Sequence, residues 1–322
     1  MQRRAMLTTA GLALAAPRPA AAQAWPARPI RIIVPFPPGG PNDIIARLYA
    51  PQLQAILGQG VVLENRGGGG GVVGTDAALK ASPDGTTFAI TNGGSLVITP
   101  HVSANMPYRV PDDMTLVSVV TLVPEALVAN PRLGVKTLAE LVALAKREPG
   151  RLNIGTAGAA GISHLAAELF RVQTGAEVTV VPYRGAAPAV TDIVAGQIGL
   201  LFADLPVILP QIRAGTLTAL AMASERRSPV LPDLPTTAEQ GFPGLLADNW
   251  YCMVAPPRLP EAILERMSAA LRTASETPAV RDALAAQGAQ AVWTAQAAFA
   301  EMVRVESAKW ERIARAANVR TD

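Results

Sequence analysis

The chain has 322 residues, with 28 basic and 25 acidic side chains, two histidines and one cysteine. That length allows two packed domains, and a single cysteine excludes an intramolecular disulfide. Arg3, Arg4 and Arg18 precede residue 25 without any acid, so the remainder is formally neutral with 25 charges of each sign. Nucleic-acid binding, which needs a basic excess, is thereby disfavoured.

Residues 1–24 join a basic start, a short apolar run at 5–16 and small residues at 20–24, the layout of an export signal. The arginine pair suits a twin-arginine (Tat-like) route as well as a Sec one. The apolar run is shorter than the roughly 20 residues a bilayer span needs. Cleavage after Ala24 would release a free chain into the periplasm.

From there, β-branched runs alternate with alanine-rich helical stretches. Strands are expected at 30–35, 61–64, 87–91, 116–123, 126–129, 152–155, 178–181, 200–202, 217–223 and 250–255. Helices are expected at 43–57, 75–81, 137–148, 163–174, 187–195, 260–275, 278–287 and 296–317. Thr137 followed by Glu140 reads as a capping box, and Gly58 closes the first helix. Phe299, Met302, Val303, Trp310 and Ile313 recur at helical spacing, the pattern of a helix docked on a core. Such alternation predicts an α/β fold with parallel or mixed sheets flanked by helices. Crossings near Pro124-Glu125 and within the Pro- and Gly-rich stretch 228–249 divide the chain. Residues 25–125 and 248–322 would form a discontinuous domain 1, and residues 126–247 an inserted domain 2.

The chemistry-bearing motifs are mostly absent. Gly69 to Gly74 matches G-x-G-x-x-G, but the next strand ends in Asn92 rather than an acid, so a dinucleotide site is not supported. There is no Walker sequence and no G-x-S-x-G elbow. Ser163 and His164 are neighbours in a helix and cannot face each other. Two histidines and one cysteine provide no metal cluster. Neither catalysis, a metal nor a cofactor is expected, and Cys252 reads as a small buried hydrophobe.

What remains is a thrice-repeated arrangement of strand, small-residue loop and helix, at 34–43, 154–164 and 90–95. The last contributes Asn92 and Gly93. Glycines let the backbone approach a ligand, and the N–H groups of a helix's first turn lack intrahelical partners and favour negative charge. In open α/β sheets such loops at the carboxyl ends of strands bind ligands. The first two loops lie on opposite sides of the Pro124 crossing, so each domain would aim a helix N-terminus into a cleft suited to a small carboxylate.

An ordered series of motifs supports a resemblance over the chain from about Trp25 onward. It comprises 29–36 with Gly39, Gly40 and Asp43, then 62–66, 83–87, 155–158 with 164–170, 181–185 with Asp192, 231–236 and 255–257. The chain resembles the Bug-type, TctC-like extracytoplasmic solute receptors of tripartite tricarboxylate transporters. The resemblance implies a two-domain, type II-like periplasmic binding protein that closes on a carboxylated solute held by backbone N–H groups and ordered waters. Carried over by position, it points to Phe36, Gly39, Gly40 and Asp43 in domain 1. In domain 2 it points to Thr156, Ala157, Gly158, Gly161 and His164, with Gly185 and Asp204 as further walls. Asp43 could equally cap its helix, His164 could bond a loop carbonyl, and Asp204 suits a water, a backbone group or a ligand amine, hydroxyl or amide better than an anion. Pro41-Asn42, Arg184 and the end of 200–205 depart from the common pattern. The implied ligand is a di- or tricarboxylate, an aromatic acid or an acidic amino acid, and the implied partners are transporter membrane subunits, with the receptor a monomer. A ligand sensor of the same fold, acting on a signalling partner, is the alternative.

Overall fold

A computed structural model describes residues 25–320; the expected export signal lies outside the described residues. The strands are β1 (Ile30–Val34), β2 (Val61–Asn65), β3 (Thr87–Asn92), β4 (Thr115–Val123), β5 (Glu125–Ala129), β6 (Leu152–Thr156), β7 (Val178–Pro182), β8 (Leu200–Asp204), β9 (Thr218–Met222), β10 (Asn249–Ala255) and β11 (Gln290–Ala291). The helices are α1 (Pro41–Leu57), α2 (Val72–Leu79), α3 (Thr99–Val102), α4 (Leu138–Arg147), α5 (Ile162–Thr174), α6 (Ala186–Ala195), α7 (Leu205–Arg213), α8 (Glu261–Glu276), α9 (Pro278–Ala285) and α10 (Gln296–Ala316).

The strands form two mixed sheets flanked by helices, in the orders β11-β4-β10-β3-β1-β2 and β7-β6-β8-β5-β9. Leaving β11 aside, the orders coincide: β2-β1-β3-β10-β4 matches β7-β6-β8-β5-β9. In both, the fourth strand is antiparallel to its neighbours, β10 to β3 and β4 and β5 to β8 and β9. Those reversed strands are the ones with which the chain enters each sheet from the other. Only Pro124 separates β4 from β5, whereas the return runs through 223–248. The two halves are called lobes below.

Both faces of each sheet are apolar, as helix-covered sheets require. Along β1, Ile30, Ile32 and Val34 join the core beneath α1 and α8, while Ile33 turns to the opposite face with Leu96 and Trp250. Tyr49 of α1 is fully buried, its hydroxyl donating to the Val120 carbonyl at 2.6 Å and lying 2.8 Å from Ser275 Oγ. Cys252 is fully buried on β10. Helix α10 docks through Phe299, edge-on to Trp250 at 5.7 Å, and through buried Trp310. It packs on β4 in the first lobe and on α5 in the second, so one apolar core runs from Phe299 and Trp310 to Phe170. Among the described residues no helix is long and apolar enough to cross a membrane.

Several elements depart from the sequence expectation for identifiable reasons. Helix α1 begins at Pro41 rather than at 43, because proline is well tolerated in the first turn of a helix. Helix α7 was not expected. Pro206 sits in its first turn, where the missing N–H costs nothing, and only Pro210 interrupts its bonding. Residues 94–98, read as loop, form a single wide π turn running into α3. Helix α2 starts at Val72, after a left-handed Gly71. Thr137 caps α4 by accepting the Glu140 N–H at 3.1 Å, but Glu140 returns a bond to Lys136 N–H, one residue before the cap.

Gly74 shows how tightly α2 is set against the exit from β1. A Cβ there would lie 2.4 Å from the Arg66 carbonyl oxygen and 2.6 Å from Pro35 Cα. Both are backbone atoms that cannot rotate away. Gly74→Ala should therefore overpack this contact and lower unfolding stability by about 1–3 kcal/mol in a denaturant titration; an unchanged midpoint would show that α2 is free to shift.

Candidate functional site

Where the two lobes meet, a cleft holds about 590 Å3 of empty space, part of it open to solvent. Three helices begin at its walls: α1 after Gly40, α5 after Gly161 and α6 after Gly185. All three N-caps are glycine and none is capped by a side chain. Pro41 and Pro188 carry no N–H and the Asp43 N–H already bonds the Gly40 carbonyl at 3.0 Å, so α5 presents the fullest set of first-turn donors. Among the described residues no lysine, arginine or histidine lines the cleft. Any negative charge held there must rest on backbone dipoles and neutral donors.

Of the residues singled out by sequence, Phe36, Gly40, Asn92, Ala157, Gly158, Gly161, Gly185 and Asp204 line the cleft. Asp43, Gly93, Thr156 and His164 stand just behind it, while Gly39 is exposed at the rim, where a Cβ would lie 4.0 Å from Ala187 Cβ. Asp43 is buried and turns back on its own loop, accepting the Gly39 N–H at 3.0 Å, Asn65 Nδ2 at 3.0 Å and Arg47 Nε at 2.8 Å. Burial alone would raise its carboxyl, but these bonds hold it below the ordinary carboxylate range. Asn65 also donates to the Phe36 carbonyl at 3.1 Å, so Asp43 and Asn65 together fix the loop. Gly93 backs onto Trp250, which a Cβ would approach to 2.7 Å.

The second loop is braced in the same manner. Thr156 Oγ1 donates to the Gly158 carbonyl at 3.1 Å, and Ser163 Oγ accepts the Ala157 N–H at 3.0 Å. His164 Nδ1 accepts the Ala160 N–H at 2.9 Å, which places its proton on Nε2. Burial lowers its pKa and favours that neutral form.

Across the cleft the lobes approach closely. Thr99 Oγ1, whose proton is shared with the Gly94 carbonyl at 3.0 Å, lies 3.3 Å from the Ala160 carbonyl oxygen. A Cβ on Gly94 would lie 3.3 Å from Gly161 Cα, and one on Gly70 would lie 3.1 Å from the Ala159 carbonyl oxygen. These glycines allow backbone to face backbone. On the first lobe's wall, Asn92 Nδ2 donates to Asn42 Oδ1 at 3.3 Å, and Asn42 Nδ2 donates to the Ile90 carbonyl at 3.0 Å. The run 67–71, Tyr183 and Arg184 border an adjoining outer opening.

Sequence reasoning reached Asp204 but passed over the rest of the floor, Glu125, Asn249 and Tyr251. Glu125 opens β5 and faces Asp204, the last residue of β8, in antiparallel register. They are 2% and 5% exposed and both line the cleft with Asn249 and Tyr251. Burial pushes Asp204 up to about 6, against the opposing bonds from Tyr251 and Asn249. Burial, reinforced by the charges of Asp204 and Asp248, holds Glu125 well above the ordinary range. The available signal was an acid within a strand otherwise built of Ala, Leu and Val.

A carboxyl whose pKa is raised by folding adds stability below its unfolded value and loses it as pH rises through the folded one. Deprotonation of Asp204 should thus weaken the wild-type protein, relative to Asp204→Asn, between about pH 4 and pH 6. Urea midpoints of both proteins across that range would show it, and parallel curves would refute it.

A family model described as "Tripartite tricarboxylate transporter family receptor" matches residues 45–319. The chain is 38% identical to protein BugT of Bordetella pertussis, over 96% of this chain and 94% of BugT. Among solved structures it is similar to an R. palustris protein with adipate, at 33% identity and TM-score 0.89, over 92% of this chain and 99% of that one. MatC from Rhodopseudomonas palustris with bound malate superposes at TM-score 0.85 with 31% identity, over 90% and 99% of the two chains. The periplasmic binding protein BugD does so at TM-score 0.88 with 29% identity, over 92% and 100%. The α/β architecture is that of periplasmic binding proteins, and the chain belongs to the tripartite tricarboxylate transporter family of receptors.

Proposed function

We propose that the protein captures a small carboxylate in the periplasm and delivers it, as a monomer and without chemical turnover, to the membrane subunits of a tripartite tricarboxylate-type transporter. One observation carries this reading: three helix N-termini, uncapped by side chains, open onto a cleft with no basic lining residue. Such a site favours a compact anion over a sugar or a cation. The adipate and malate held by two similar proteins support the same ligand class. Phe36, Gly40, Asn92, Ala157, Gly158, Gly161, Gly185 and Asp204 would meet the ligand. Gly39, Asp43, Gly93, Thr156 and His164 would hold the loops in place. An export signal over 1–24 would bring the chain to the periplasm.

A ligand that binds only the folded state stabilises it by about 2.7 kcal/mol at 100-fold excess over its dissociation constant. A thermal-shift screen of dicarboxylates, tricarboxylates, aromatic acids and amino acids should therefore yield a carboxylate that raises the melting temperature. Shifts confined to sugars or cations would sink the proposal. Gly161→Val provides a sharper test, because a Cβ there meets nothing within 4 Å and the residue's backbone is extended. Its side chain should occupy the anion seat and abolish the ligand-induced shift, while costing the unliganded protein no more than about 2 kcal/mol. Retention of full ligand affinity would remove the α5 N-terminus from the site.

A further inference from the structure

The floor of the cleft bears a charge arrangement that capture of an anion does not explain. Asp204 is already served by two donors, Asn249 Nδ2 at 3.1 Å and the Tyr251 hydroxyl. Glu125, its register partner, is not: Glu125 Oε2 is buried and has no hydrogen-bond partner among the described residues. Side chains directly opposite in an antiparallel pair lie about 4.5–5.5 Å apart at Cβ, so two ionised carboxylates here repel. The charged groups acting on Glu125 are Asp204 and Asp248, both acidic, with the Tyr251 hydroxyl nearby on β10. No basic residue lines the cleft to offset them. A buried carboxylate oxygen without a partner is costly, and Glu125 lines the cleft that a ligand would fill.

We propose that the cleft is built for a zwitterion, an amino carboxylate whose carboxylate rests on the helix N-termini while its protonated nitrogen docks between Glu125 and Asp204. This assignment rests on the carboxylate-receptor reading and narrows it. A hydroxyl could hydrogen-bond Glu125 but brings no charge to this pair of acids; an ammonium or protonated ring nitrogen stabilises both as carboxylates and supplies donors to both. In the empty cleft, burial favours the protonated form of Glu125. A cationic nitrogen favours its carboxylate, so binding of the zwitterion shifts Glu125 toward proton release.

The test is isothermal calorimetry on the full mature protein with matched ligand sets. 4-Aminobutyrate, aspartate, glutamate and 4-aminobenzoate are compared with butyrate, succinate, glutarate and benzoate. At least one amino carboxylate should bind about tenfold or more tightly than its deaminated and dicarboxylate counterparts, as a charge-assisted contact allows. Titration in two buffers of different ionisation enthalpy should show proton release for that ligand. Glu125→Gln should erase both the preference and the proton release while retaining affinity for the plain carboxylate. Equal or tighter binding of the plain acids to the wild-type protein overturns the zwitterion assignment and leaves the receptor reading intact. So does a preference that survives Glu125→Gln. Absence of binding by every acid in the panel overturns the receptor reading itself. Should Glu125→Gln fail to fold, the wild-type preference and proton count still decide.

Discussion

A cleft with no basic side chain among its described lining residues can hold an anion only with peptide dipoles and neutral donors, and that constraint organises this protein. Backbone N–H groups cannot swing to meet a ligand as a lysine can. The loops that carry them must already be in position. This accounts for how much of the nearby polar chemistry is turned inward. Asp43 and Asn65 pin the first loop, and Ser163, Thr156 and His164 pin the second. A carboxylate and a histidine beside a binding cleft invite a reading as ligand contacts; their bonds show them holding the backbone still.

The second constraint is topological. Two sheets share one strand order apart from β11, each with one reversed strand that the chain uses to enter it. Because β4 and β5 are separated by Pro124 alone, Glu125 lies at the seam between the lobes. Asn249 and Tyr251 begin the returning strand and reach across to Asp204. The floor of the cleft is thus made from the crossing strands themselves, and its polar residues belong at once to the seam and to the site.

Much of this could be read in advance from punctuation. Glycine and proline marked the loops, and the β-branched runs between them marked strands, so the α/β architecture and the two main cleft loops were visible before any coordinates. What stayed hidden depended on register or on small offsets. Starting α1 at Pro41 instead of 43 moves Asp43 from the cap into the first turn, where it faces back toward Gly39. Nothing local indicates that Glu125 and Asp204, far apart in sequence, meet as register partners. Helix α7 was masked because Pro206 and Pro210 resemble breakers until their helical positions are known.

The C-terminal helix carries a mechanical consequence. Its Phe299 and Trp310 are buried in the core that extends toward Phe170, and the helix packs on β4 in one lobe and α5 in the other. Covalent continuity at Pro124 and in 223–248 permits the lobes to bend, whereas α10 lies across the same divide without being part of either crossing. Movement of the lobes apart would shear the α10–α5 contact and expose apolar area buried there. The helix thus acts as a brace on the cleft without lining it.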